Sequence, residues 1–526
     1  MTLRMISESF THPILSCAEA KAFEAQILSD EAAEWTAMVE AGQGIARAVV
    51  EDYHELRVPP ARMRILALVG KGHNGGDALI ACGQLLADFP RAQVDLIMVA
   101  PEGEFKPLAQ RALQRLEGRV MTHLFESGTA EQASELLERI SADECFHICL
   151  DGLLGMDFKA PLRPPLDALL EAVNRFERID LRAAVDLPTG AGTKLKFEAD
   201  FSYAAGIAKQ PLFEGIADCG RVRLINLGFF DRALKPPSTT EYLLSSDVLN
   251  PMNRLRMADV DKRKFGHLFV LGGSAFMPGA LLMTVQAAVR SGAGLVTAFA
   301  PASVASSLSA QVPEAIWVPW SESPNGTLSP RALPLLTERI GQASALLVGP
   351  GMGRDRNTEL LAQEIVSKVE CPILFDADAL RARVVEIVQK RKSHFGEVVI
   401  TPHMGEFMRV AKIREPDYHL ETLIRFSRIH RLITVLKAAN TRICDGKKVW
   451  FNTTGGPVLS RGGSGDLLSG LIGGMMAQNP KDVLSAVARG VTVHGLAAQH
   501  LARDKGQVMV RTTQLLDYLP KVLRGA

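Results

Sequence analysis

Asp466 ends the run Ser460-Arg461-Gly462-Gly463-Ser464-Gly465-Asp466, and Leu467-Leu468-Ser469-Gly470-Leu471-Ile472 after it reads as the body of an apolar helix. Glycines just ahead of a helix leave free N–H groups that can stabilise a transferring phosphoryl group. An acid at the same helix start can hold a substrate hydroxyl and accept its proton. A second glycine-rich turn, Val69-Gly70-Lys71-Gly72-His73-Asn74-Gly75-Gly76-Asp77, has four glycines within seven positions, so its amides can approach a ligand closely. Its lysine comes early and no Gly-Lys-Ser/Thr follows, so it is not a P-loop, nor is it the usual dinucleotide Gly-x-Gly-x-x-Gly. Two more carboxylates follow apolar runs: Asp151 in Leu150-Asp151-Gly152-Leu153-Leu154-Gly155 and Asp186 in Val185-Asp186-Leu187-Pro188-Thr189-Gly190. Each alone reads equally well as a helix cap. Asp77, Asp151 and Asp186 at one sheet edge, around one glycine-rich crevice, point to a binding site.

These residues need a scaffold that brings strand ends together. Ile65-Leu66-Ala67-Leu68-Val69 reads as a buried strand, Ala78 to Phe89 as a helix, and Val94 to Val99, Phe146 to Leu150 and Ala183 to Asp186 as further strands. Apolar runs without polar alternation, separated by helices, indicate a parallel sheet covered on both faces. Residues 18–50 read as helix-rich. Lys235-Pro236-Pro237-Ser238-Thr239-Thr240 has the composition of a linker, which divides the chain into residues 1–240 and 241–526. The alternation resumes with Leu268-Phe269-Val270-Leu271, Leu295-Val296-Thr297, Ala345 to Val348, Ile373-Leu374-Phe375, Val398-Val399-Ile400 and Ile433 to Leu436. Gly272, Gly349, Asp376 and, one residue further on, Pro402 stand at the carboxyl ends of these runs, where open α/β sheets place ligands. The expected fold class is α/β, with two doubly wound domains.

The first-half motifs G-K-G-H-N-G-G-D, D-G-L-L-G and D-L-P-T-G resemble the epimerase domain of the NAD(P)H-hydrate repair proteins, a Rossmann-like three-layer αβα fold. That resemblance implies hydrate binding by His73, Asn74, Gly75, Gly76 and Asp77, by the stretch after Gly155, and by Asp186. Asp77 or Asp186 would handle the proton, and Asn74, Asp151 and Thr189 would hold a potassium ion. His73 stands where the family usually has Asn, Ala78 where it has Gly, and Thr189 where it has Ser. In the second half, G-G-S-G-D resembles the anion-hole motif of the ribokinase-like superfamily. Lys264-Phe265-Gly266-His267, Leu271-Gly272-Gly273-Ser274, Met277-Pro278-Gly279-Ala280, Val348-Gly349-Pro350-Gly351-Met352-Gly353, Phe375-Asp376-Ala377-Asp378, Thr401-Pro402-His403-Met404-Gly405-Glu406 and Leu436-Lys437-Ala438-Ala439-Asn440-Thr441 follow in family order. Together they resemble the nucleotide-dependent NAD(P)H-hydrate dehydratase domain. The resemblance implies that Ala280, Gly353, His403 and Asp466 contact the hydrate. It assigns the nucleotide to Lys437, Ala438, Ala439, Asn440 and Thr441 and to Gly456, Gly462, Gly463, Ser464 and Gly465. The implied activity is dehydration of the S hydrate of NADH or NADPH with ADP (or ATP) and Mg2+, giving AMP and phosphate from ADP, beside epimerisation of the R and S hydrates. The alternative is a small-molecule kinase of the vitamin-precursor type, with a non-catalytic first domain for binding or assembly.

Composition narrows the partners. Lys plus Arg number 59 against 58 for Asp plus Glu, a net charge of +1, so the chain lacks the basic surplus that nucleic-acid binding requires. Seven scattered cysteines without a C-x-x-C pair support neither a zinc site nor a disulfide framework, and fit a reducing, cytoplasmic setting. The first residues lack the apolar core of a signal peptide, and the longest uncharged stretch is broken by glycines and Pro278, so no membrane span is expected. The resemblance further implies a homo-oligomer.

Overall fold

Every residue of strand Arg64–Val69 is buried, as a strand covered on both faces requires. The computed structural model describes residues 6–215, 219–231 and 234–524. The chain divides into two compact units, His12–Thr239 and Thr240–Ala526 together with Met1–Thr11. The leading segment thus departs from the boundary read in the sequence. Ile6 belongs to the same apolar core as Leu244, Val248 and Leu249, and Ser245 donates its backbone N–H to Phe10 O at 2.9 Å.

The first unit is built on a 7-stranded sheet in the order Met121–Leu124, Gln93–Met98, Arg64–Val69, Phe146–Gly152, Ile179–Val185, Phe201–Ala205, Arg221–Ile225, with every pairing parallel. From Arg64–Val69 the chain builds outward on one side, then crosses to Phe146–Gly152 and builds on the other. The order therefore reverses between these two strands, and a crevice opens beyond their carboxyl ends. A methyl group at Gly70 would lie 1.9 Å from Leu153 O, so the two loops lining the crevice meet where only glycine fits. The helix that follows runs His73–Asp88, so it begins well before the start expected at Ala78. Tertiary packing of the glycine-rich turn overrides the low helix propensity of Gly75 and Gly76. The helix-rich start resolves into Cys17–Ile27 and Glu31–Tyr53, with Asp30 capping the second. Ahead of them, strand Thr11–Leu15 pairs in parallel with Ala208–Lys209, Leu15 opposite Lys209.

In the second unit the parallel strands run in the order Ile316–Trp320, Leu295–Pro301, His267–Leu271, Ala345–Val348, Ile373–Phe375, Val398–Ile400, Ile433–Leu436. Thr441–Cys444 then joins antiparallel, followed by Val449–Asn452 and Glu241–Leu244. The order reverses between His267–Leu271 and Ala345–Val348, which places a second crevice. Helix Ser464–Gln478 is buried along most of its length and shares one apolar core with Pro278–Arg290 and Val483–Lys505. All seven cysteines are free. Among the described residues, no helix is long and apolar enough to cross a membrane.

Candidate active sites

Gly463 caps the helix Ser464–Gln478 in the left-handed region, at φ 88°, where a side chain would be strained. Gly463 offers no side-chain cap; Ser464 donates its N–H to Arg461 O at 3.3 Å, and the amides of Gly465 and Asp466 after it are left for a ligand. Asp466, third residue of the helix, opens partly to solvent. Charged groups from other elements face it. Lys437, at the end of Ile433–Leu436, places Nζ 3.1 Å from Asp376 Oδ1 and 3.9 Å from Glu406 Oε2. Thr401 Oγ1 also donates to Asp376 Oδ1, at 2.7 Å. Burial, then the Asp376 carboxylate, push the Asp466 carboxyl up to about 7; Asp378 and Glu406 add to the rise, and Lys437 opposes it. Burial alone would lower the Lys437 pKa, but Asp376, Glu406 and Asp466 outweigh it and hold the ammonium above its ordinary value. The result is an acid tuned near neutrality beside a fixed cation, suited to proton transfer next to an anionic substrate.

The other residues expected on this site line its edges. His403 caps helix Met404–Ala411, with Nδ1 accepting from Gly405 N at 3.0 Å and Glu406 N at 3.4 Å. A ring nitrogen that accepts carries no proton, so the neutral ring keeps its hydrogen on Nε2, and the side chain is 57% exposed. Gly353 donates its N–H to Asp378 Oδ2 at 3.0 Å. Ala280, in the first turn of Pro278–Arg290, lies against the 349–353 loop, with Cβ 3.1 Å from where a methyl at Gly351 would be. Residues 438–440 form the bend leading from Lys437 to the strand that starts at Thr441, and Gly456 opens the turn Pro457–Leu459 ahead of Gly462. No hydrogen bond or ion pair joins residues 438–441 or Gly456 to the acidic cluster among the described residues.

In the first unit, His73 is the exposed first residue of its helix, and partial burial, then Lys106, lower its pKa. Asn74 donates Nδ2–H to Leu154 O at 2.8 Å and lies beside Gly155. Gly75 and Gly76 are buried beneath. Asp151 accepts from Thr189 N and Thr189 Oγ1 at 2.7 Å each, and Thr189 Oγ1 accepts from Leu154 N at 3.0 Å. Asp186 adopts a left-handed conformation at φ 61°, uncommon for a residue with a side chain and frequent at functional sites. Its Oδ1 accepts from Ala205 N at 3.1 Å and from Lys209 Nζ. The Lys209 side chain is 1% exposed and also donates to Ala205 O at 3.1 Å. Asp77, in the second turn of its helix and only partly exposed, is driven well above the carboxylate range by burial, then by the Asp186 charge, against the pull of Lys209.

Comparison with known proteins connects these two sites. Residues 268–521 match the family model described as NAD(P)H-hydrate dehydratase, and residues 36–209 match the YjeF-related protein N-terminus. The bifunctional NAD(P)H-hydrate repair enzyme of Moorella thermoacetica is 33% identical over 483 residues, covering 88% of each chain. The chain belongs to the bifunctional NAD(P)H-hydrate repair enzyme family. A second relative of that name, from Gloeobacter violaceus, is 30% identical over 512 residues, 93% of each chain. Among solved structures, an ADP/ATP-dependent NAD(P)H-hydrate dehydratase from Bacillus subtilis is 26% identical, over 52% of this chain and 93% of that one, with a TM-score of 0.44.

Within this member of the family, several residues of the two clusters lie outside the set chosen from sequence. Asp376, Asp378 and Glu406 stand inside quoted motifs, yet their convergence on Asp466 depends on the sheet order. Lys209, and Glu24, whose charge adds to the rise of Asp77, stand in no motif. The only signal for Lys209 is its position in Ala204-Ala205-Gly206-Ile207-Ala208-Lys209, a lysine at the end of an otherwise uncharged run.

Proposed function

We propose that the carboxy-terminal unit dehydrates the S hydrate of NADH or NADPH using ADP, or ATP, and that the amino-terminal unit interconverts the R and S hydrates. The observation that carries this reading is Asp466, held near pH 7 at the uncapped start of a helix and beside Lys437. Hydroxide is a poor leaving group, so the hydroxyl on C6 of the nicotinamide ring must first be activated. Asp466 accepts the hydroxyl proton as its oxygen bonds to the terminal phosphorus of the nucleotide, and the bond to the nucleotide oxygen breaks to release AMP from ADP. Amides of residues 462–465 hold the charge that develops. The ring-nitrogen lone pair then expels phosphate, and loss of the C5 proton restores the reduced ring. His403, Gly353 and Ala280 bind the hydrate, while Lys437, Ala438, Ala439, Asn440, Thr441 and Gly456 receive the nucleotide.

Magnesium would arrive on the phosphate oxygens of the nucleotide and offset their charge; among the described residues, no group of three or more His, Cys, Asp or Glu could hold a metal ion. Potassium suits Asn74, Asp151 and Thr189, all oxygen donors. Asp151 is fully buried, no basic side chain among the described residues pairs with it, and burial lifts its carboxyl to about 6 despite the hydrogen bonds from Thr189 and Leu153. A monovalent cation there would neutralise the carboxylate that ties the 153–155 loop to Thr189. In the same unit, His73, Asn74, Gly75, Gly76, Gly155 and Asp186 bind the hydrate around Asp77.

Separated S and R hydrates, assayed with ADP or ATP and magnesium by the absorbance of the reduced nicotinamide, test both halves. Recovery from S that Asp466→Asn abolishes supports the dehydratase. A stable phosphate ester in place of free phosphate and reduced cofactor would refute it in favour of a small-molecule kinase. Consumption of R above its spontaneous rate, lowered by Asp77→Asn, supports the epimerase; R turning over only at its spontaneous rate refutes it.

A further inference from the structure

Parallel pairing of Thr11–Leu15 with Ala208–Lys209 sets Leu15 opposite Lys209, so the helix Cys17–Ile27 starts two residues beyond the strand position that faces this buried lysine. A capping box fixes that start: Ser16 Oγ accepts from Glu19 N at 3.2 Å, and the Glu19 carboxylate accepts from Ser16 N at 3.0 Å. Ala20, Phe23 and Ile27 are buried, and Phe23 stacks on Phe230 at 5.4 Å between ring centroids, which sets the helix's rotation. Cys17 and Glu24, seven residues apart, share one face two turns apart. Both feel the charges of Asp186 and Lys209, and Asp77 in turn feels Glu24. A helix without any recognised motif thus presents a half-buried acid to the group of residues around Asp77.

We propose that Glu24 is the second proton-handling catalytic residue of the epimerase cleft, working with Asp77, and that Lys209 is the positioning residue that, by charge, fixes Asp186 beside them. This rests on the epimerase reading above. C6 of the hydrate carries a hydroxyl and a ring nitrogen, so its configuration is inverted by breaking and remaking the C6–O bond. As that bond breaks, the nitrogen lone pair forms N1=C6, and the hydroxyl leaves as water with the carboxyl proton of Asp77. Water then adds to the opposite face, the N1=C6 pair returns to nitrogen, and the surplus proton of the incoming water passes to the Glu24 carboxylate. One proton moves from Asp77 to Glu24, the reverse reaction exchanges the roles, and solvent restores the starting state. Two acids serving two faces remove the need for one group to reach both. Among the described residues the ionisable groups facing Glu24 are Lys209, which favours its charge, Asp186, which opposes it, and Asp77, which feels the Glu24 charge in turn; burial is the larger effect and lifts its carboxyl to about 7. Around the same cluster, Cys17 also faces Glu214.

The test uses the full chain and R hydrate, with the S-hydrate rate of each preparation as an internal standard for enzyme concentration. Glu24→Gln should lower epimerisation by about 100-fold or more, the usual contribution of a positioned acid or base, with KM for the R hydrate within about threefold. In the wild type, kcat/KM for R should fall as pH drops through about 7, because the ionised carboxylate is the base. Glu24→Asp should retain that fall and part of the rate, whereas Glu24→Gln should lose both. Epimerisation by Glu24→Gln close to the wild-type rate, or a reduced rate that keeps the same pH dependence, overturns the role of Glu24 while leaving the epimerase reading standing. Wild-type enzyme that never exceeds the spontaneous rate overturns both.

Discussion

Removing the charge of Lys437 should raise the pH at which dehydration fails, and removing the charge of Asp376 should lower it. Both expectations follow from what surrounds Asp466: burial and the Asp376 carboxylate lift its carboxyl, and Lys437 pulls it down. On the proposed reading Asp466 acts as an ionised base, so the rate should decline as pH falls through its pKa and level off above it. Two unit charges about 6 Å apart at an effective dielectric near 20 interact by about 3 kcal/mol, equivalent to about two pH units. Because Asp466 opens partly to solvent, screening reduces this to about one unit. Lys437→Met should therefore move the acid limb of the pH profile up by about one unit. Asp376→Asn should move it down by a similar amount, since Lys437, relieved of the ion pair at 3.1 Å, becomes freer to stabilise Asp466. The assay is kcat/KM for S hydrate at saturating nucleotide across the neutral range, so that weakened nucleotide binding does not enter. An acid limb that stays in place in both variants, or moves the same way in both, would show that Asp466 is not the titrating base.

The same pKa carries a stability cost. The native state binds the Asp466 proton up to about 7, against 3.8 ordinarily, so the cost is absent below about pH 4 and complete above about 7; about three pH units amount to about 4 kcal/mol, which solvent screening reduces to about 2. Asp466→Asn should thus stabilise the carboxy-terminal unit by about 2 kcal/mol in urea unfolding near pH 8, and the gain should shrink as pH approaches 4. Gly463→Ala must hold an alanine at φ 88°, so it should cost about 1 kcal/mol of stability and, by displacing the first-turn amides, about 10-fold or more in kcat for dehydration. In the first unit, Lys209→Met leaves Asp186 charged and buried, which should destabilise that unit by about 3–5 kcal/mol; adding Asp186→Asn should recover much of the loss, and failure to recover it would separate the cost from the ion pair.

The glycine loops and their acids were legible because their chemistry is local. A left-handed Gly463 and an acid at a helix start are properties of consecutive residues. Elements that depend on distant partners were harder to read. Strand Arg221–Ile225 carries two arginines in its first three residues and lacks the continuous apolar run of its neighbours, yet Arg221 pairs with Glu55 at 2.8 Å and Arg223 with Asp52 at 3.1 Å, both on or beside the helix Glu31–Tyr53. Charge neutralisation there does what hydrophobic patterning does elsewhere. Strand Thr441–Cys444 likewise contains a buried Arg442, whose guanidinium donates to Tyr418 O at 2.5 Å and lies 5.5 Å from the Phe451 ring centroid, although Asp445-Gly446 between two apolar runs was a readable hairpin signal.

The two candidate sites show the same limit from the side of function. In each, one lysine at a strand end meets carboxylates from other elements: Lys437 pairs with Asp376 and Lys209 with Asp186. In each, the lysine ties down one carboxylate, and a neighbouring carboxyl is left raised, Asp466 in one unit and Asp77 in the other. That division of labour separates a fixed anion from a working acid, which residue type cannot do, because both are aspartates. A sequence names the aspartates and leaves their roles interchangeable, as Asp77 and Asp186 are when read from motifs alone. The lysine breaks that symmetry, and its partner is chosen by strand order: Ala208–Lys209 ends its short strand close to the Asp186 turn, and Ile433–Leu436 lies beside Val398–Ile400, which in turn follows Ile373–Phe375 and its Asp376. On the proposed reading, then, topology assigns the proton-transfer roles at the positions where the motifs are silent, and exchanging which aspartate pairs with the lysine should exchange those roles.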